Sequence, residues 1–364
     1  MSGTSFKQIF RRVFGDGVEM PKIICTLGTT TDDEAVMRQM IKYGMAAARI
    51  NTAYATIPEY KKRIDAVRQL AKIPIILDLK GSQIRLLTDD KYRIEPGDEF
   101  TVSFQGGPIA FNYDFYGEMS PGEQVLFENG TIRTLVAEKK NHLLVLRVIE
   151  AGEGHLRNHM GVNVPGRVFQ GIPLLSGKDL EVIKFGIEEK VEYLAISFVR
   201  ETEDALSLRY AINDLLLGKA KANIPVNFKP KMIIKIEDQV GARSLPEIIK
   251  KFRDQNVELT VMIGRGDMFV EAPKHHLPFL QKEIIRICNN LKTEVIVATG
   301  LLESMQFNPY PTRSETCDVA NAVFDGADWL MMSAETSNSA YPAEAVKMMK
   351  SIIDECLKYQ KRQG

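Results

Sequence analysis

Two stretches in the second half of the chain share one form and decide the fold. They read Met232-Ile-Ile-Lys235-Ile-Glu237-Asp238 and Leu259-Thr-Val-Met-Ile-Gly264-Arg265-Gly266-Asp267. Each is an apolar run, short enough to be a buried strand, that ends in charged residues. Because buried parallel strands are almost continuously apolar, we expect these charges to meet at the mouth of a sheet or barrel.

The residue types at these two ends suit one kind of chemistry. Two carboxylates, Glu237 and Asp267, beside the ammonium of Lys235 would suit a small anion bridged to a hard cation such as Mg²⁺. Glycines on both sides of Arg265 would let the backbone approach a ligand closely. The alternative interpretation is that the same charges form salt bridges that only cap the strands.

Composition places the chain among ordinary globular proteins and excludes several classes. The 364 residues are 45% apolar and 26% charged, which allows a large core and more than one domain. The net charge of +0 gives no electrostatic reason to expect nucleic acid or an anionic membrane as a partner. Four scattered cysteines favour a reducing, cytoplasmic location. No apolar run approaches the roughly 20 residues that span a bilayer.

Strand and helix patterns alternate along most of the chain. Runs of strand length occur at 22–26, 46–51, 74–78, 193–197, 232–237, 259–264, 294–298 and 329–332. Eight strands, each followed by a helix, predict an α/β fold, the (β/α)₈ TIM barrel, whose sites lie at the carboxyl ends of the strands. Polar residues at seven of these eight ends favour a functional site over capping. They are Arg49, Asn51, Asp78, Lys80, Ser197, Lys235, Glu237, Arg265, Asp267, Thr299, Ser333 and Glu335.

A stretch of different character interrupts this alternation after the third strand. Between about Leu87 and Met160, apolar and polar residues alternate and turn pairs recur, which predicts a small all-β domain. The predicted divisions are an N-terminal amphipathic helix (1–20), the barrel's first part (21–86), the inserted β domain (87–160) and the barrel's second part (161–364). Segment 1–20, basic and poor in acids, is expected to dock on its own domain; the alternative is a mitochondrial transit segment.

The motifs at the strand ends resemble those of the pyruvate kinase family, in the family's order, from about Lys22 to Tyr359. The matching stretches include Asp78-Leu-Lys-Gly81, Gly161-Val-Asn-Val-Pro-Gly166, Lys235-Ile-Glu237, Arg265-Gly-Asp267, Pro311-Thr-Arg313 and Ser333-Ala-Glu-Thr336. The resemblance implies phosphoryl transfer from phosphoenolpyruvate to ADP, giving pyruvate and ATP, in glycolysis. It also implies that the inserted β domain is a lid, and that a homodimer through the barrel is possible.

The resemblance also assigns roles to residues. Lys235 matches the lysine on the transferring phosphoryl group, and Arg49 matches an arginine on that phosphate. Glu237 and Asp267 match the two carboxylates that hold Mg²⁺ or Mn²⁺. The remaining matches are Gly264, Arg265, Gly266, Ser197 and Thr299 for the substrate, Thr299 with Ser333 and Glu335 for the proton path, Asn51 and Arg85 for the nucleotide, and Asn51 and Asp78 for a vestigial monovalent-cation site.

Departures from the family pattern fall mainly on the potassium and nucleotide sides. Ala53 and Leu79 replace hydroxyl residues, so we expect no potassium requirement. Tyr54 stands where the family has histidine, and Met160 where it has lysine. Two alternatives to the kinase activity therefore stay open: an enzyme with another acceptor or an oxoacid decarboxylase, and a non-catalytic ligand-binding relative. The family's usual domain after the barrel does not follow before Gly364, so we expect no sugar-phosphate effector site in this chain.

Overall fold

The structure is a computed structural model that describes residues 20–128, 130–167, 169, 171–221 and 228–363. The amphipathic helix predicted for residues 1–20 therefore lies outside the described residues, apart from Met20. Among the helices in the described ranges, none is both long enough and apolar enough to span a bilayer.

Seventeen strands and ten α-helices make up the described chain. The strands are β1 (Lys22–Leu27), β2 (Met45–Asn51), β3 (Ile75–Asp78), β4 (Arg85–Thr88), β5 (Tyr92–Arg93), β6 (Glu99–Ser103), β7 (Ile109–Phe111), β8 (Gln124–Phe127), β9 (Ile132–Lys140), β10 (Leu143–Ala151), β11 (His155–Leu156), β12 (Met160–Asn163), β13 (Tyr193–Ile196), β14 (Lys231–Ile236), β15 (Leu259–Gly264), β16 (Glu294–Ala298) and β17 (Trp329–Met332). The helices are α1 (Glu34–Tyr43), α2 (Ile57–Leu70), α3 (Gly177–Glu188), α4 (Thr202–Lys221), α5 (Gln239–Asp254), α6 (Arg265–Glu271), α7 (Leu277–Asn290), α8 (Arg313–Asp325), α9 (Ala334–Ser337) and α10 (Pro342–Gln363).

Eight of these strands close a parallel barrel, which confirms the predicted fold. Its order around the barrel is β1-β17-β16-β15-β14-β13-β3-β2. The first and last strands close it, since Lys22 pairs with Trp329 and Cys25 with Met332. All eight strands run parallel, so their carboxyl ends lie at one rim and the polar residues that follow them converge there.

The inserted segment forms a second, separate closed barrel, whose order is β10-β6-β7-β4-β12-β8-β9. Most of its neighbouring strands are antiparallel, and its own apolar core contains Phe104, Phe111 and Phe115. The paired strands run from Arg85 to Asn163, and the predicted domain limits of 87–160 stay predictions. The chain therefore leaves the main barrel after β3 and returns to it at α3.

Side-chain caps fix where the helices near the rim begin. Ser176 and Asp179 form a reciprocal capping box at the start of α3. The second carboxylate oxygen of Asp179, Oδ1, also accepts a hydrogen bond from the backbone N–H of Lys80 at 3.1 Å. At the start of α5, Asp238 accepts from the N–H of Gly241 at 2.8 Å. These caps attach two helices to the ends of β3 and β14.

Substitution of Gly241 tests how tightly the start of α5 packs against the backbone at Val199. A Cβ at this position would lie 2.4 Å from the carbonyl oxygen of Val199, a backbone atom that cannot rotate away. We expect Gly241→Ala to lower the free energy of unfolding by about 1–3 kcal/mol, measured by urea denaturation. The matched control is Gly218→Ala inside α4, where no atom lies within 4 Å of the added Cβ. That change should stabilise the helix by about 0.5–1 kcal/mol; equal effects of the two substitutions would contradict the packing argument.

Candidate active site

A cavity of about 1040 Å³ lies at the carboxyl ends of the barrel strands, and residues of the inserted barrel also line it. Thirteen of the fourteen residues assigned from sequence line this one cavity, and Glu335 does not. The thirteen are Arg49, Asn51, Asp78, Arg85, Ser197, Lys235, Glu237, Gly264, Arg265, Gly266, Asp267, Thr299 and Ser333. The fold therefore brings together residues that are up to 284 positions apart in the chain, counting from Arg49 to Ser333.

The ammonium of Lys235 is the central charge of the cavity. Its Nζ lies 3.0 Å from Glu237 Oε1 and 3.4 Å from Asp78 Oδ1, and it donates to Ser197 Oγ at 2.9 Å. Burial alone would lower the pKa of Lys235, but the two carboxylates outweigh burial and raise that pKa. The side chain is therefore a fixed cation at neutral pH.

Arg49 and Asp78 form a buried ion pair beside this lysine. Arg49 Nε lies 2.7 Å from Asp78 Oδ2, and Arg49 Nη1 donates to Thr26 Oγ1 at 2.9 Å. Burial would raise the pKa of Asp78, but the charges of Lys235 and Arg49 outweigh it and hold that pKa below its ordinary value. Asp78 is therefore an anion shared between two cations.

Glu237 and Asp267 are neighbouring carboxyl groups that interact with each other; Glu237 is buried and Asp267 is half-buried. The backbone N–H of Phe198 donates to Glu237 Oε2 at 2.7 Å. Only glycine fits at position 264, since a Cβ there would lie 2.6 Å from Glu237 Oε1. Burial raises the pKa of both carboxyl groups, repulsion from Asp267 adds to the effect at Glu237, and Lys235 opposes it.

This carboxylate pair fits a divalent cation that takes its other ligands from elsewhere. Two adjacent carboxylates that repel each other are stabilised by a cation placed between them. Across the described ranges, no cluster of three or more His, Cys, Asp or Glu side chains is arranged to hold a metal. The remaining ligands would therefore be substrate or water oxygens, as is usual for Mg²⁺.

The side chain of Arg265 departs from the expectation that all the strand-end charges meet. Its Nη1 bonds both carboxylate oxygens of Asp318, at 3.0 and 2.8 Å. Its Nε and Nη2 donate to the carbonyl oxygen of Thr299, at 2.9 and 2.5 Å. The guanidinium is thus held by α8 and the end of β16 rather than by Glu237 and Asp267, because Asp318 offers it a carboxylate partner.

Glu335 lies behind the cavity rather than on its surface, and its assignment to the proton path stays a prediction. It is 1% exposed, and its carboxylate accepts hydrogen bonds from the backbone N–H groups of Ser333 at 2.7 Å and Leu302 at 3.3 Å. One of these amides belongs to the turn after β17 and the other to the loop after β16, so Glu335 joins the ends of two neighbouring strands. Glu335 therefore shapes the backbone behind Ser333, whereas Ser333 and Thr299 themselves line the cavity.

The residues assigned to the nucleotide are engaged with neighbouring backbone. Arg85 Nη1 donates to the carbonyl of His159 at 2.9 Å, which joins β4 to the turn before β12. Asn51 Oδ1 accepts from the N–H of Ala53 at 3.1 Å. Tyr54, at the same edge of the cavity, is 74% exposed. This side of the cavity is more open than the side around Lys235.

Sequence reasoning assigned no role to Asn163 and Glu271, which connect the two barrels at the cavity. Asn163 Nδ2 donates to Glu271 Oε1 at 2.7 Å, and within the described residues Glu271 Oε2 has no hydrogen-bond partner. Two features of the sequence could have indicated Asn163 and Glu271. Glu271 follows Asp267 by four residues, one turn of α6, and Asn163 lies within the Gly161–Gly166 motif.

Comparison with known proteins agrees with this geometry. The sequence profile described as "Pyruvate kinase, barrel domain" matches residues 18–346. Pyruvate kinases of Staphylococcus saprophyticus and Staphylococcus aureus strain USA300 are 39% and 38% identical to the chain, over 91% of its length. The crystal structure of a pyruvate kinase from Cryptosporidium parvum superposes with a TM-score of 0.85 at 27% identity, covering 93% of this chain and 69% of that one.

The chain spans 56% of the length of the two staphylococcal relatives. The profile match covers both the barrel strands and the inserted barrel, so it includes the whole cavity. The closed eight-stranded barrel, the second barrel inserted after β3 and the profile match lead to one conclusion. The chain belongs to the pyruvate kinase family.

Proposed function

We propose that the chain transfers the phosphoryl group of phosphoenolpyruvate to ADP, giving pyruvate and ATP. The observation that carries this proposal is the largely buried ammonium of Lys235, which lies beside the carboxyl groups of Glu237 and Asp267 at the barrel mouth. A fixed cation in a water-poor site stabilises the charge spread over a transferring phosphoryl group. The relatives named above, all described as pyruvate kinases, support the same activity.

The reaction breaks the bond between phosphorus and the enol oxygen and forms a bond between phosphorus and an oxygen of the ADP β-phosphate. In our proposal Lys235 and Arg49 face the phosphoryl oxygens, and the backbone from Gly264 to Gly266 receives the substrate carboxylate. The pyruvate enolate that is left takes a proton at C3. We assign the delivery of that proton, through water, to Thr299 and Ser333, whose side chains border the cavity.

Glu237 and Asp267 are the residues that would hold Mg²⁺ or Mn²⁺. When bound there, the cation would supply positive charge to the phosphoryl and carboxylate oxygens of the substrate. The protein holds the buried Glu237 carboxylate in place through the Phe198 N–H and through the space left by the missing side chain at Gly264.

We propose that the reaction does not require potassium. The carboxylate of Asp78 is already neutralised by Arg49 and Lys235, at 2.7 and 3.4 Å. Leu79 is buried and apolar, and Ala53 has no side-chain oxygen. The oxygen ligands that a monovalent cation would need are therefore reduced at this position.

An enzyme with a different acceptor is the second candidate, since the departures of the sequence concentrate on the nucleotide side. Tyr54 is largely exposed at the cavity edge, and Met160, in the position of the family's lysine, is buried in β12. Each of these residues stands where the family has a basic side chain, so each substitution removes a cation that a nucleotide phosphate could bind. Assays with ADP, GDP and no nucleotide, each with phosphoenolpyruvate and Mg²⁺, separate the two candidates.

We also propose a cytoplasmic location and a homodimer through the barrel. Free, buried cysteines at positions 25, 288 and 356 suit a reducing compartment. Phe307 and Tyr310, just before α8, are each 74% exposed, which suits an apolar contact between two copies.

Lys235→Met tests the central assignment. It removes the cation that faces the transferring group, so we expect kcat for pyruvate formation to fall by roughly 10²–10³ or more. The assay couples pyruvate to lactate dehydrogenase, and circular dichroism checks that the fold is retained. Lys184→Met, on an exposed face of α3 away from the cavity, is the control and should keep the wild-type rate. A folded Lys235→Met protein with the wild-type rate would contradict the role of the lysine.

Glu237→Gln tests the metal site by a measurement that does not depend on turnover. Loss of one of two carboxylates should weaken Mg²⁺ or Mn²⁺ binding more than about tenfold in calorimetry. Glu128→Gln is the control, because Glu128 also borders the cavity but pairs with Arg157 at 3.3 Å. Equal metal affinity in the wild type and the Glu237 variant would remove the site from Glu237 and Asp267.

Initial rates with and without potassium test the altered cation site. Replacing potassium chloride by tetramethylammonium chloride at the same ionic strength should leave the rate of pyruvate formation unchanged, because Asp78 keeps its two protein cations. Matching the ionic strength removes general screening effects. A steep rise of the rate with potassium would show that a cation competes successfully for Asp78.

A further inference from the structure

The carbonyl of Thr299 is held by an unusual number of donors from one side chain. Arg265 directs both Nε and Nη2 at it, and Nε also lies 3.2 Å from the carbonyl of Ala298. Arg265 is 7% exposed, so these bonds are formed away from bulk water. A buried guanidinium that bonds two successive carbonyls restricts the peptide between them.

The backbone of Thr299 needs such a restraint. Its φ of +75° lies in the left-handed region, which is a rare and strained conformation for a β-branched residue. The conformation also places Thr299 Cγ2 close to Gly266, where an added Cβ would lie 3.2 Å from it. Thr299 thus packs against the backbone that borders the cavity after β15.

The other end of the guanidinium is anchored by two helices. Nη1 bonds Gln281 Oε1 of α7 at 3.0 Å and both carboxylate oxygens of Asp318 in α8. The planar fork of arginine can reach a carboxylate on one side and carbonyls on the other at the same time. The single ammonium of lysine cannot do this.

We propose that Arg265 is a positioning residue, which acts on the substrate through Thr299 rather than by touching it. Fixed by Asp318, it holds the Thr299 peptide in its strained conformation and so keeps the Thr299 side chain and the Gly264–Gly266 backbone at the enolpyruvate end of the cavity. This inference rests on the proposed function for its kinetic consequence only, since the geometry of the restraint is independent of the reaction.

Arg265→Lys is the kinetic test, because it keeps the charge and the pairing with Asp318 but loses the fork. Misplacement of the enolpyruvate end should lower kcat/KM for phosphoenolpyruvate by about 10²-fold. KM for ADP should stay within about twofold, since the nucleotide side does not contact Thr299. The matched control is Arg63→Lys, which makes the same change at an arginine outside the cavity, where Nε and Nη2 of Arg63 bond Asp32 at 2.9 and 3.0 Å. It should leave both constants unchanged.

A purely structural role would give a different pattern. If the substitution only reduced the fraction of folded protein, the apparent kcat would fall whichever substrate is varied, and both KM values would stay unchanged. This pattern would overturn the proposal. Unchanged kinetics in a folded Arg265→Lys protein would also overturn it. Asp318→Asn, which leaves the arginine in place with a weaker anchor, should shift the same constants in the same direction but less.

Hydrogen exchange gives a readout that is independent of activity. Amides of residues 298–302 should exchange faster in Arg265→Lys than in the wild type, and Arg63→Lys should not change them. If the wild type forms no pyruvate, the proposed function fails while this comparison still decides the role of Arg265. Wild-type exchange rates in the Arg265→Lys protein would show that Thr299 needs no such restraint.

Discussion

The charge of one buried lysine governs the arrangement of the whole cavity. A buried ammonium is costly unless anions and hydrogen-bond acceptors surround it. Lys235 finds these in Asp78 from β3, Ser197 from the turn after β13 and Glu237 from the end of its own strand. Three parts of the barrel rim must therefore be in register before the charge is compensated. Two further cavity residues are placed relative to this cluster, Arg49 through Asp78 and Asp267 through Glu237.

The barrel was predictable from sequence because parallel strands covered on both faces leave a strong pattern. Apolar runs such as 259–264 coincide with β15, and 294–298 with β16. The inserted barrel was predictable only as a set of strands. Its order, in which β12 lies between β4 and β8, depends on which half-buried surfaces fit each other. Alternation along a strand tells which face is buried but not which strand will be its neighbour.

For the site, position at a strand end predicted proximity but not orientation. Lys235 near the end of β14, Glu237 just after β14 and Asp267 after β15 meet as the pattern implied. Arg265 lies between Gly264 and Gly266 at the end of β15, yet its guanidinium bonds Asp318. That residue is 53 positions later, and no local sequence pattern connects the two. Glu335 satisfies backbone amides instead of facing the cavity. Which partner a long polar side chain takes is decided by tertiary contacts, and these are invisible to spacing along the chain.

The closure of the main barrel has a consequence for how the protein is made. The barrel closes where β1 pairs with β17. There the hydroxyl of Thr26 donates a hydrogen bond to the carbonyl of Met332, a residue 306 positions later in the chain. On the ribosome this edge of β1 stays unpaired until β17 has emerged. The inserted barrel has much more local pairings, such as β8–β9 and β9–β10, and can close long before. During synthesis, therefore, the inserted barrel folds first, while the sheet of the main barrel is still incomplete. The unpaired edge of β1 is then the part of the chain most exposed to pairing with other chains.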